Sequence, residues 1–159
     1  VIVILAHGVT TGALFVLVGD LQDRIHTRDM NRMGGLWTTV PRLSGIALFL
    51  ALASLGLPGL ANFVGEFLVL LGTFHVSVAV AAVAAGALIF SVVYALWMVQ
   101  NAFQGEPRER WTIRDYSPRE LAIQTGFMAA ILWLGLYPNP FFNAVRAALN
   151  ALGTYGGRL

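Results

Sequence analysis

Long apolar stretches alternate with two short polar ones along this chain. No Asp, Glu, Lys or Arg occurs in 1–19, 43–65, 67–105 or 121–145. A bilayer core about 30 Å thick takes about 20 apolar residues of helix, so the pattern predicts membrane spans. Segments such as VAVAAVAAGALIF lack the alternation of a membrane β-strand. The expectation is an all-α, polytopic membrane helix bundle with spans at about 1–19, 43–75, 76–103 and 118–137. The remaining 138–159 tail, after the prolines of LYPNP, reads as a short interfacial helix with a frayed end.

The second span does not fit one straight helix. Thirty-three residues would reach about 50 Å, too long without strong tilt, yet too short for two crossings. Its middle reads LGLPGLANFVGEF. Pro58 cannot donate a backbone hydrogen bond and clashes with the preceding turn, while Gly56 and Gly59 permit unusual backbone angles. The spacing predicts one discontinuous helix, 43–57 and 61–74, broken near 56–60. SPREL opens the last span: Ser117 is a candidate N-cap, Pro118 fits the first helical position, and Glu120 sits in the first turn.

Composition sharpens this picture. Hydrophobic residues make up 57% and charged residues 11% of the 159, against roughly 25% charged in soluble domains. That excludes an ordinary soluble domain and a disordered chain. With a net charge of +2 and no lysine, nucleic acid is not an expected partner; the lipid bilayer is. The absence of cysteine removes thiolate metal sites and disulfides. Eight of the ten arginines fall in the polar stretches 20–42 and 104–119. The positive-inside rule then puts these loops in the cytoplasm and the C-terminus outside, as expected for a bacterial-type plasma (inner) membrane. The first span is already under way at Val1, with no basic leader, so the chain is expected to be a piece of a larger membrane protein.

Candidate chemistry is sparse. Glu66 is an acid alone in apolar sequence, in the second half of the broken helix. Burying it ionised costs at least about 2.5–3.5 kcal/mol on insertion scales. It must take up a proton, or face a partner or a water-lined cavity, and either suits a group that holds and releases protons. Broken helices expose backbone groups that bind ions and admit water. His7, with an intrinsic pKa of about 6.5, is the second proton-transfer candidate. His75 reads as a polar helix end and His26 as local loop structure. Trp37, Trp97, Trp111 and Trp133 read as interface anchors or packing residues. No phosphate loop, dinucleotide fingerprint, metal-ligand spacing or activated nucleophile is present, so no cofactor and no redox chemistry are expected within this chain.

Two strings carry a family resemblance. AHGVTTGALFVLVGDLQDRIHTRDMNRMGGLW and LASLGLPGLANFVGEFLVLLGTF, continued through SVVYAL, SPREL and GLYPNP, resemble the antiporter-like M-type subunits of respiratory complex I. That complex is the proton-pumping NADH:quinone oxidoreductase, and the mitochondrial counterpart of the subunit is subunit 4. The resemblance implies a fourteen-helix antiporter-like fold with two inverted five-helix repeats, of which 1–159 would be the last four helices. It implies that the broken span is the discontinuous twelfth helix and that Glu66 is its membrane carboxylate. Sister subunits carry lysine there, so glutamate points to the M type. His7 matches the histidine of the eleventh helix. NADH, FMN, iron–sulfur clusters and quinone are implied only in partner subunits, and the other membrane-arm subunits, sister antiporter-like ones included, are the implied partners. The family's central lysines and its other glutamate lie on earlier helices, so this chain alone lacks a complete proton path. Two alternatives stay open: a subunit of a multisubunit Na⁺/H⁺ antiporter, and a purely structural membrane-arm piece.

Overall fold

The computed structural model describes residues 1–156; residues 157–159, Arg158 and the end of the 138–159 tail among them, lie outside the described residues. Seven helices follow one another: α1 (Ile2–Ile25), α2 (Leu36–Thr39), α3 (Pro41–Ser54), α4 (Ala61–Val76), α5 (Val78–Phe103), α6 (Pro118–Leu136) and α7 (Asn139–Gly156). Among the described residues no strand is present. α1 packs against α3, α4 and α6, while α4 also lies against α5 and α6. Leu17, Leu21, Leu43, Leu50, Val99, Tyr116 and Ile131 share one buried core.

α1 and α5 are each long and apolar enough to cross a membrane, α6 and the start of α7 pass that test together across a 72° bend, and α3 and α4 are shorter apolar helices. Many large apolar side chains point outward, including Phe15, Val83, Ile89, Phe90 and Leu136. Such a surface suits lipid or further membrane helices rather than water.

Several boundaries differ from the sequence reading, each for a local reason. α1 runs six residues past position 19, because its buried stripe continues through Leu17, Leu21 and Ile25 while Asp20, Asp23 and Arg24 occupy other faces. His26 ends it in the left-handed conformation, φ 51°, its N–H bonded to Gln22 O at 2.8 Å. α3 begins two residues before position 43, since Pro41 supplies a preset φ in its first turn. Ser77 separates α4 from α5 and caps the latter, its Oγ accepting from Val80 N at 3.4 Å. The tail helix α7 is 18 residues long, where a short one was expected; Tyr137 leaves helical geometry and the chain restarts in a new direction.

The two polar loops lie on one side of the bundle and are laced together. Gly35 N–H donates to Gln104 O at 3.0 Å, and a Cβ on Gly35 would come within 2.6 Å of Pro107 N. Asp115 caps α3 from outside it, accepting from Arg42 N at 2.9 Å and Leu43 N at 3.1 Å. Arg32 grips Glu109 with two bonds, 2.8 and 3.1 Å, which hold that carboxyl below the usual carboxylate range. Ser117 and Glu120 form the capping box of α6, as the SPREL string suggested.

Candidate functional site: an acid at the junction of two helices

The break between α3 and α4 covers residues 55–60, within one residue of its expected place. α3 ends at Ser54 in a glycine-terminated cap: Leu57 N–H donates to Leu52 O and Gly56 N–H to Ala53 O, both at 3.4 Å. Gly56 (φ 65°) and Gly59 (φ 94°) take up left-handed backbone angles, which cost a glycine little and other residues more. Pro58 between them offers no N–H. α4 then restarts from Leu60 without a side-chain cap.

Two neighbouring helices hold the break in place by backbone proximity. Gly135 of α6 sits against Gly59 and Leu60, so that a Cβ there would lie 2.5 Å from Leu60 C. Gly65 of α4 faces Val3 of α1, where a Cβ would be 2.6 Å from Cγ2 and 3.1 Å from Cα. Small residues at such positions let membrane helices approach closely.

Glu66 is half-buried in the second turn of α4. Side chains on a helix lean towards its N-terminus, so this one points back at the break. Its carboxylate lies on Gly56: a Cβ added to that glycine would run into Oε2 and stand 3.0 Å from Cδ. His7 lies on α1, which packs against α4, and its Nε2 is 3.3 Å from Thr11 Oγ1. Gly56 and Glu66 therefore come together, with His7 on the adjoining helix α1, while Pro58 and Gly59 shape the break beside them. His75 sits apart, exposed in the last turn of α4.

A second polar group lies between α1 and α6, and sequence reasoning did not find it. Gln124 is fully buried, its Nε2 donating to Ala13 O at 3.5 Å and to the Tyr116 hydroxyl at 3.4 Å. Burial, and next the Asp20 carboxylate, push the Tyr116 hydroxyl above a phenol's ordinary range, so it stays protonated. Arg24 stacks 5.3 Å from the Tyr116 ring and pairs with Glu120 at 2.7 Å. The available signal was slight: one glutamine in the apolar run LAIQTGF.

Among the described residues no group of three or more His, Asp or Glu could hold a metal ion. An apolar hollow of about 230 Å³ between α1, α3 and α5, with Arg28 and Thr27 among its lining residues, is lined by neither Glu66 nor His7.

A helical multi-pass membrane protein, with an acid at the junction of two short apolar helices, is the class these features define. A family model described as NADH:quinone oxidoreductase/Mrp antiporter, transmembrane, matches residues 1–91, and the chain belongs to that family. It is 42% identical to NADH-quinone oxidoreductase subunit M of Pseudomonas aeruginosa, over 99% of this chain and 33% of that protein. The subunit M of Escherichia coli K12 is 39% identical over 94% of this chain and 30% of its own length. NADH-ubiquinone oxidoreductase chain 4 of Marchantia polymorpha is 35% identical over 98% and 32%. A chain of respiratory complex I from Thermus thermophilus superposes with a TM-score of 0.82 at 39% identity, over 87% of this chain and 29% of that one. The chain thus spans about one third of the length of the relatives it matches.

Proposed function

We propose that this chain is part of the proton-translocating membrane subunit of an NADH:quinone oxidoreductase, moving protons across the membrane while quinone is reduced elsewhere in the complex. The observation that carries the reading is Glu66, an acid within apolar sequence whose carboxylate is seated on Gly56 between α3 and α4, with α1, the helix of His7, packed against α4. Sequence likeness to the M subunits supports it along almost the whole chain. In this reading His7 relays protons and Glu66 accepts and releases them, each transfer leaving its donor one proton poorer and its acceptor one richer. NADH, FMN, iron–sulfur clusters and quinone belong to other subunits, and membrane-arm neighbours, sister antiporter-like subunits included, cover the outward-facing apolar surface.

The same reading counts four spans: α1, α3 with α4 as one discontinuous span, α5, and α6. It treats 1–159 as the last four helices of a fourteen-helix fold. The arginine-rich loops face the cytoplasm of a bacterial-type plasma membrane, and the C-terminus faces outward.

Glu66→Gln tests the central claim, because it keeps size and polarity but removes proton exchange. In the assembled complex in sealed vesicles, the protons moved per electron are expected to fall; a normal ratio overturns the role. The family description also names an antiporter, which favours Na⁺/H⁺ exchange as a second reading. A pH gradient driven by Na⁺ without quinone reduction would select it. A purely structural role predicts that Glu66→Ala leaves quinone reduction and pumping intact.

A further inference from the structure

The seat of the Glu66 carboxylate is unusual in its construction. An acid arriving from the second turn of α4 lies on the glycine that caps the end of α3, whose missing side chain makes the space. What would have to move, if that space were filled, is not backbone but the carboxylate itself, the free end of a flexible side chain. Gly59 offers the natural contrast. It lies in the same break with an even more positive φ, 94° against 65°, yet a Cβ there would meet only Leu136 Cδ2 at an ordinary 3.7 Å. Backbone strain is thus common to both glycines, while collision with the acid belongs to Gly56 alone.

We propose that Gly56 is a positioning residue for proton transfer: its bare Cα holds the Glu66 carboxylate over the break between α3 and α4. The claim rests on the reading of Glu66 as the proton carrier. A side chain at position 56 evicts the carboxylate from this place without touching its charge or its chain position. Shortening the acid by one methylene withdraws it towards α4 and makes room again. Gly56 and Glu66 therefore form a matched pair of sizes, and their substitutions compensate instead of adding.

The experiment uses the full-length subunit in the assembled complex, in sealed vesicles, with protons per electron as the readout. Gly56→Ala is expected to remove at least half of what Glu66→Gln removes, and Gly59→Ala clearly less. Glu66→Asp placed in the Gly56→Ala background is expected to restore the ratio above either single variant. Equal losses at Gly56 and Gly59, or a double variant no better than Gly56→Ala, overturn the proposal and leave only strain at the break. Should Gly56→Ala not assemble, Gly56→Asn keeps the intruding Cβ in a residue that accepts left-handed angles. The carboxyl stretching band of Glu66, assigned by its loss in Glu66→Gln, gives a second and independent readout. It is expected to shift in Gly56→Ala and to hold in Gly59→Ala; an unmoved band overturns the seat. A shifted band with normal pumping in Glu66→Gln keeps the seat and rejects the proton-carrier reading, so the two failures are distinguishable.

Discussion

Thr10 on α1 is fully buried, and its hydroxyl meets no hydrogen-bonding partner; Gln124 Oε1 and Trp111 Nε1 are in the same condition. Each such atom costs about 1–3 kcal/mol. Valine has the shape of threonine, without the hydroxyl, and a similar helix propensity. Thr10→Val is therefore expected to stabilise the subunit by about 1 kcal/mol, measured as a higher midpoint of thermal unfolding of the detergent-solubilised complex. A lower midpoint would show that the hydroxyl has a partner in the assembly. Glu66 was legible in the sequence because a lone charge in apolar surroundings has few explanations. Gly56 was legible as a point of backbone freedom but not as the acid's seat. Nothing in a string of letters says which side chain comes to rest on a glycine ten residues earlier.

Pairs of elements show the same division. The capping box of α6 was readable because its two halves, Ser117 and Glu120, stand three residues apart. Asp115, which caps α3, was not, because its partners lie 72 and 73 residues earlier in the chain. Arg24 is the clearest joint between elements. Its guanidinium donates to Asp20 O, to Arg114 O and to Glu120 while covering the Tyr116 ring. Lysine keeps the charge but loses the planar fork and the stacking. Arg24→Lys is expected to cost about 1–3 kcal/mol, the range for one or two hydrogen bonds to a charged group. Faster amide exchange at Leu121, whose N–H bonds Ser117 O at 2.9 Å, would register the loosening of α6 from α1. Unchanged exchange there would show that the apolar contacts alone hold the two helices.

The all-helical class was legible in the hydrophobic runs, and helix ends were least legible where a helix outlasts its apolar stretch. α1 keeps its helical form through Asp20, Asp23 and Arg24 because one buried stripe in four residues is enough to hold it. A tail helix is expected from the sequence, but its 18-residue length and the 72° bend before it are not, since prolines mark where a helix stops but not where the next one goes. Orientation can be checked directly, because the chain contains no cysteine of its own. In the four-span reading, Arg110→Cys in the polar loop is expected to react with a membrane-impermeant thiol reagent only from the cytoplasmic face. Ala148→Cys, exposed on α7, is expected to react only from the other face. Labelling of both from one side would change the number of crossings between them.

The cap that Asp115 places on α3 reaches further than its two hydrogen bonds. Arg42 and Leu43, whose amides it grips, begin a stiff rod of 14 residues, about 21 Å at 1.5 Å per residue. Just beyond the far tip of that rod lies the capping turn that holds Gly56. The strap of residues 104–117 therefore has its hand on one end of a lever whose other end carries the resting place of the acid. If Glu66 carries protons as proposed, a partner that tugs the strap at the water's edge is expected to reach the acid's seat through a single helix.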